Sequence, residues 1–192
     1  MSDETAIVYG ASGFLGSHVA DALSAAGYRV RLFDRRSSPY QRHDQEMIIG
    51  DIMNLDQVVE AAKGADVVYN FAAIADIDEA HDKPLATATI NVLGNMHVLE
   101  AARLAGARRF VFASTIYVYS ESGSFYRASK QAAERFIETY YERYGLDYSI
   151  LRYGSLYGRR ADARNGIYRM LYEAVARHSI TYHGTGNGIK GE

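Results

Sequence analysis

The sequence predicts an α/β fold: a doubly wound parallel sheet with helices on both faces. Apolar runs of strand length alternate with helical patterns along most of the chain, which argues for repeated strand, helix, strand units. Gly27, Gly64, Gly106 and Gly145 each follow a helical pattern, where a left-handed closing residue is favoured. In chain order, the apolar run Ala6–Tyr9 is the first strand, and a glycine-rich turn leads from it into a helix over Phe14–Ala26. Arg29–Phe33 and Glu46–Ile49 are the next strands, followed by a helix over Leu55–Ala62 that Gly64 punctuates. Asp66–Asn70 is the fourth strand, and a long helix over Pro84–Ala105 ends at Gly106. Arg109–Ala113 is the fifth strand, Phe125–Tyr144 a helix closed by Gly145, and Tyr148–Arg152 the sixth strand. Beyond Arg152 the stretch "YGSLYGRRADARNG" is rich in glycine and charge, Ile167–Ala176 reads as a helix, and "SITYHGTGNGIKGE" as glycine-rich loop.

Bulk properties narrow the function classes. At 192 residues with 48% hydrophobic content, the chain has enough apolar material for one domain with a substantial core. A net charge of −2 with both signs interspersed supplies no basic stripe, so nucleic acid is not expected as a partner. No cysteine is present, which removes thiolate catalysis and cysteine metal sites, and the six histidines show no ligand spacing; no metal is expected. No run is long or apolar enough to span a bilayer, and "MSDETAIVYG" has neither a basic region nor an apolar signal core. The expected location is the cytoplasm.

In "IVYGASGFLGSHVADAL", Gly10, Gly13 and Gly16 follow a strand and open a helix, the context that a dinucleotide fingerprint needs. Glycines allow a tight turn and close backbone approach to a pyrophosphate, whose charge then meets the N–H groups of the helix start, here Phe14 and Leu15. The spacing is G-x-x-G-x-x-G, not G-x-G-x-x-G, and a plain glycine turn is the alternative. Asp34, at the end of "RLFDRRS", lies at the distance downstream from which a carboxylate accepts hydrogen bonds from both hydroxyls of an adenosine ribose. Such a carboxylate repels a 2'-phosphate and favours NAD over NADP. Arg35 and Arg36 pull the other way, since an arginine beside that position accommodates the phosphate, unless they are a solvated surface turn.

The stretch "FVFASTIYVYSESGSFYRASKQAAERF" bears on reactivity. Tyr126 and Lys130, four residues apart on a helix, leave the same face. A phenol is a poor base at neutral pH, and a neighbouring ammonium favours the phenolate. The pair suits proton exchange with a carbinol while a hydride passes to a nicotinamide. Ser114 and Thr115 come at a strand end, the edge where ligands bind in open parallel sheets, and either hydroxyl could orient the same oxygen. Taken singly these are a packed tyrosine and a Ser-Thr cap; their order along the chain sets them apart.

Together "GASGFLG", "GDI" at Gly50–Ile52, "NFAA" at Asn70–Ala73, "NVLGN" at Asn91–Asn95, "STIYVY", "YRASK" and "LRYGSLYG" at Leu151–Gly158 resemble the extended short-chain dehydrogenase/reductase family, in its nucleotide-sugar epimerase and dehydratase branch. The resemblance implies a Rossmann-type sheet of strand order 3-2-1-4-5-6. It also implies an NAD-binding domain over 1–152, with 153–192 as the incomplete start of a substrate-binding region. It implies that Asp51 and Ile52 meet the adenine, that Phe71, Ala72 and Ala73 line the cofactor, and that Asn91 supports the nicotinamide end. By itself Asp51 reads as a helix cap before "MNLDQ". Thr115 takes the family's catalytic hydroxyl position with Ser114 second, Tyr126 is the acid/base, and Lys130 lowers its pKa and holds the nicotinamide ribose.

Sugar-dehydrating relatives resemble one another in an Asp-Glu pair just after the catalytic threonine, where this chain has Ile116 and Tyr117. The resemblance therefore implies a 4-epimerase that oxidises and re-reduces one carbinol of a nucleotide sugar. A one-way reductase or dehydrogenase and a non-catalytic NAD-binding regulator are the alternatives. Tyr117 and Ser155 fall at substrate-contacting positions; the loop before Tyr126 is shorter than in galactose epimerases, and Ser155 stands where many relatives have asparagine. Relatives continue for roughly another hundred residues, so the chain is expected to be a truncated form. Pairing into a homodimer is expected through the helices 84–105 and 125–144, the latter with a stripe of Phe136, Ile137, Tyr140, Tyr141 and Tyr144.

Overall fold

The structure is a computed structural model that describes residues 4–180. These residues form two compact units, divided after Gly154. The first is built on six parallel strands, β1 (Thr5–Tyr9), β2 (Arg29–Asp34), β3 (Gln45–Ile49), β4 (Val67–Asn70), β5 (Arg109–Thr115) and β6 (Tyr148–Tyr153), in the order β3-β2-β1-β4-β5-β6. This is the expected class and strand order. The strand order reverses between β1 and β4, so the loops that leave these two strands diverge and open a crevice at the carboxyl edge of the sheet.

Strand β1 is buried along its whole length, as a central strand covered on both faces must be. Its alternate side chains divide the core. Ala6 and Val8 join Val30 and Leu32 of β2 and Ala20 and Leu23 of helix α1 (Phe14–Ala25). Ile7 and Tyr9 face the larger cluster, which includes Val58 of α2 (Leu55–Ala62), Val98 and Leu99 of α5 (Gly94–Leu104), and Ala133 and Ile137 of α6 (Ser124–Tyr144). Tyr9 keeps its phenol in this core by donating to the Val58 carbonyl at 2.6 Å, and burial pushes its pKa upward. The predicted helix-closing residues Gly27, Gly64, Gly106 and Gly145 all have positive φ, between 67° and 90°.

Several boundaries differ from expectation. A short helix α3 (Ile77–Asp82) occupies what the sequence left without an element. It is too short for a periodic apolar pattern, and Asp76 starts it by accepting from the Glu79 N–H. The single helix expected over 84–105 is divided: α4 (Pro84–Ala88) passes into a π-helical turn over Thr89–Leu93 before α5 begins. Strand β5 extends two residues past Ala113, and a 3₁₀ turn over Ile116–Tyr119 follows. Asp66 lies just outside β4, where its Oδ2 accepts from the Thr5 N–H at 2.7 Å. The cap of α2 is Asn54, not Asp51, because Asn54 Oδ1 accepts from the Gln57 N–H.

The second unit contains α7 (Gly166–Arg177), capped by Asn165, whose Oδ1 accepts from the Tyr168 N–H while its Nδ2 donates to the Leu156 carbonyl. Residues 181–192, read from sequence as the end of a glycine-rich loop, lie outside the described residues. Among the described residues no helix is long and apolar enough to cross a membrane.

Ile137 is 1% exposed and packs where α6 meets the sheet, whereas Leu85 is 83% exposed. Ile137→Ala should therefore lower the unfolding free energy by about 2–5 kcal/mol, and Leu85→Ala should change it by no more than about 0.5 kcal/mol. Urea unfolding followed by circular dichroism measures both.

Candidate active site

The carboxyl edge of the sheet collects almost every residue singled out in the sequence. At β1 the chain turns through Gly10, φ +79°, whose N–H donates to the Phe33 carbonyl at 2.9 Å. A Cβ on Gly10 would lie 2.6 Å from Ala72 N, and one on Gly16 would lie 2.2 Å from the Gly10 oxygen, so both glycines are demanded by packing within the chain. Gly13 is different. A Cβ there would meet nothing closer than the Gly10 oxygen at 3.3 Å. Gly13 is also the N-cap of α1, and no side chain caps the first turn of that helix, which begins at Phe14 and Leu15. An anion placed there would meet backbone N–H groups and the positive end of the helix.

Asp34 closes one side of this turn. Its Oδ2 accepts from the Ser12 N–H at 3.1 Å, and Ser12 Oγ donates to the Arg36 carbonyl at 2.7 Å. The glycine loop thus orients the carboxylate at the end of β2. Arg35 and Arg36 are exposed. Farther along the edge, Asp51 Oδ1 accepts from the Met53 N–H, and its own N–H donates to Gln57 Oε1. Ile52 is 7% exposed and packs on Gly94, so its side chain belongs mainly to the core.

On the other side of the crevice, Phe71, Ala72 and Ala73 are half-buried beyond β4. Their path is fixed at two points. Ala72 N–H donates to Asn70 Oδ1, and Asn91 clasps the backbone of Ile74 with both ends of its amide, at 2.8 and 3.0 Å. Asn91 Nδ2 also donates to Ser129 Oγ at 3.0 Å, and Ser129 Oγ donates to the Tyr126 carbonyl. The π turn sets Asn91 in this buried position, 3% exposed, between the loop after β4 and helix α6. Ser129 and Ser12 were not singled out in the sequence. The signal for Ser129 was its place in "YRASK", between Tyr126 and Lys130.

Tyr126, Lys130 and Thr115 come together at the end of β5. The Tyr126 phenol stands beside the Thr115 hydroxyl, which accepts from the Tyr117 N–H at 3.2 Å and so starts the 3₁₀ turn. Lys130 is 3% exposed; its Nζ donates to the Ala113 carbonyl at 2.7 Å and lies 4.6 Å from the Phe112 ring centre and 5.7 Å from that of Tyr126. Desolvation lowers the Lys130 pKa to about 8, against the opposing charge of Glu134. Burial raises the Tyr126 pKa, and the Thr115 hydroxyl opposes the rise. The ammonium stands beside the ring face, fixed on a backbone carbonyl.

Ser114, the second hydroxyl considered, has its Oγ committed to the Glu134 carboxylate. Tyr117 is half-buried against Gly123 in the 3₁₀ turn. Ser155 begins the second unit, immediately after the Gly154 that ends the first.

Comparison with known proteins agrees with this geometry. The model of a family described as the NAD dependent epimerase/dehydratase family matches residues 6–190. A protein of Methanocaldococcus jannaschii named a putative UDP-glucose 4-epimerase is 30% identical over 203 residues, covering 94% of this chain and 66% of that protein. Among solved structures, UDP-glucuronic acid 4-epimerase of Bacillus cereus, in complex with UDP-glucuronic acid and NAD, matches with a TM-score of 0.84 at 25% identity, over 95% of this chain and 66% of that one. UDP-glucose 4-epimerase of Thermus thermophilus, in complex with NAD, gives a TM-score of 0.79 at 29% identity, over 88% of this chain and 61% of that one. The chain thus spans 61–66% of the length of these relatives.

The glycine contacts separate packing from ligand binding. Gly16→Ala should destabilise the fold by about 2 kcal/mol or more. Gly13→Ala should leave stability within about 1 kcal/mol and weaken NAD binding instead. Thermal unfolding and calorimetric titration read the two effects separately. A second expectation follows from Lys130, whose folded-state pKa of about 8 lies below the ordinary 10.5. Between those values the unfolded chain binds more protons, so the native protein gains stability relative to Lys130→Met as pH rises through that window. Below pH 8 the difference between the two should be flat, as urea midpoints across the range will show.

Proposed function

We propose, from the premise that this chain belongs to the NAD dependent epimerase/dehydratase family, that it is an NAD-dependent 4-epimerase of a nucleotide sugar. The observation that carries this reading is the meeting of the Tyr126 phenol with the Thr115 hydroxyl, beside a buried Lys130, on the sheet edge that also bears the glycine turn.

The residues fit the cofactor. Gly10, Gly13 and Gly16 with the backbone of Phe14 and Leu15 are assigned to the pyrophosphate, and Asp34 to the hydroxyls of the adenosine ribose, with Arg35 at its rim. Asp51 and Ile52 are assigned to the adenine, Phe71, Ala72 and Ala73 to the lining of the cofactor, and Asn91 to the support of the nicotinamide end. A carboxylate at Asp34 favours NAD over NADP. Bound NAD supplies the hydride acceptor that makes a ketone of the carbinol and the hydride donor that restores it.

Tyr126, in the phenolate form that the neighbouring Lys130 ammonium favours, takes the proton of the reacting hydroxyl and returns it at the end of the cycle, while Thr115 holds the same oxygen by a hydrogen bond. At neutral pH Lys130, with its pKa near 8, is mainly an ammonium, the form that favours phenolate as the proton leaves. Ile116 and Tyr117 offer no carboxylate for the extra acid and base of a dehydration. Tyr117 and Ser155 are assigned to the sugar nucleotide. Copies of the chain pair through the helical segments 84–105 and 125–144, where Phe136, Tyr141 and Tyr144 are 36%, 50% and 52% exposed, whereas Ile137 of the same stripe is buried in the core. The protein works in the cytoplasm.

Tyr126→Phe is the decisive variant. Turnover of UDP-hexoses should fall by about 100-fold or more, while NAD affinity, read by calorimetry, should stay within about twofold because the phenol is not part of the pyrophosphate or adenosine contacts. Preference for NADP, or net oxidation without epimerisation, would assign the site to a one-way dehydrogenase instead.

A further inference from the structure

Glu134 takes no part in the proton route described above, yet it is 3% exposed. It lies one turn beyond Lys130 on the same face of α6. Its Oε1 accepts from Ser114 Oγ and from Arg152 Nε, the latter at 3.0 Å, and its Oε2 accepts from Arg152 Nη2 at 2.8 Å. Ser114 and Arg152 are register partners on β5 and β6. One carboxylate therefore grips the ends of two neighbouring strands.

The position of Ser114 gives this grip its meaning. On one side is Ala113, whose carbonyl accepts from Lys130; on the other is Thr115, whose hydroxyl meets Tyr126. Three consecutive residues of β5 are thus each held by a side chain of α6, at positions 126, 130 and 134, and the Glu134 contact is the middle one on the strand. A slip of the strand end against the helix would disturb all three. The ion pair is only half buried, with the Arg152 side chain 33% exposed, and a pair open to solvent on one side adds little to stability. Specificity of geometry is the better account of it.

We propose that Glu134 is a positioning residue: by holding Ser114 and Arg152 together it fixes the Ala113–Thr115 segment, which sets Lys130 and Tyr126 for proton transfer. The proposal rests on the acid/base reading of Tyr126 given above. The charged and titratable groups around Lys130 are Tyr126 and Glu134 on its own helix, with Arg152 of β6 bound to Glu134; β5 presents the Ala113 carbonyl and the Phe112 ring. Glu134 opposes the desolvation of the ammonium, and Arg152 and Ser114 hold the Glu134 carboxylate below its ordinary pKa.

The test is a titration of Lys130 itself. In protein labelled at lysine Cε, NMR separates Lys130 from Lys63, Lys83 and Lys190, with Lys130→Arg for assignment. Glu134→Gln should lower the Lys130 midpoint by about one unit, a tenfold change in the ammonium-to-amine ratio. Ser114→Ala, which leaves the ion pair in place, should lower it by a smaller amount, and the double variant should not exceed Glu134→Gln, because the two act through one contact. Unchanged midpoints in both single variants, with only a fall in melting temperature, would overturn the proposal and leave Glu134 as a strut. Should Glu134→Gln not fold, Ser114→Ala decides alone. NAD titration of the unaltered protein judges the cofactor reading separately: failure to bind NAD would sink that reading, while the lysine midpoints still decide whether Glu134 tunes Lys130.

Discussion

Everything at the sheet edge depends on how closely the backbone after β1 passes the backbone after β4. Gly10 lies so near Ala72 that a single added carbon would stand 2.6 Å from its nitrogen. This contact sets the floor of the crevice where the strand order reverses. Gly16 repeats the constraint one turn later by letting α1 start against the Gly10 carbonyl. With the floor fixed, the helix N-terminus, the Asp34 carboxylate and the Phe71–Ala73 segment have set positions relative to one another. Gly13 has the loosest contact of the triplet, 3.3 Å from an added carbon to the Gly10 oxygen.

The opposite half of the site is built on buried polarity. Lys130, Glu134, Asn91, Ser114 and Thr115 are each under 5% exposed. Burying such groups is costly unless each finds a partner, and the partners named for them are largely backbone carbonyls and one another's side chains. The arrangement exchanges fold stability for orientation. It also explains why the Lys130 ammonium can be both desolvated and held in place: the Ala113 carbonyl accepts a hydrogen bond from it and the Phe112 ring lies beside it.

Much of this was legible in the sequence, and for identifiable reasons. Strand β1 is a nearly continuous apolar run, β2 sets Val30, Leu32 and Phe33 among charged residues, and the glycine triplet sits between a strand and a helix, so the first strand, turn and helix could be read from pattern alone. The tyrosine and lysine share a helix face by arithmetic. What escaped notice depends on contacts between distant residues. Asp51 looks like a helix cap in sequence, but Asn54, three residues on, carries out that role, while Asp51 turns its carboxylate to Met53. Ser114 and Thr115 cannot be told apart by type; their partners, Glu134 and Tyr126, distinguish them. Helix α3 is too short to show a period, and the π turn leaves no mark in composition.

The π turn over Thr89–Leu93 has a consequence for how this stretch tolerates change in length. Such a turn carries one residue more than the same span of α-helix, and each residue advances the helix by about 100°. Thr87, Asn91, Asn95 and Leu99 all face inward at four-residue steps, a spacing that a regular helix would let drift round its axis. The surplus residue absorbs that drift. Removing one residue between 89 and 93 would turn one end of the segment through about a quarter circle relative to the other, carrying either Asn91 off Ile74 or Val98 and Leu99 out of the core. A position that looks like ordinary helix interior is in this sense a spacer of fixed count, as sensitive to a deletion as the glycine loop is to a side chain.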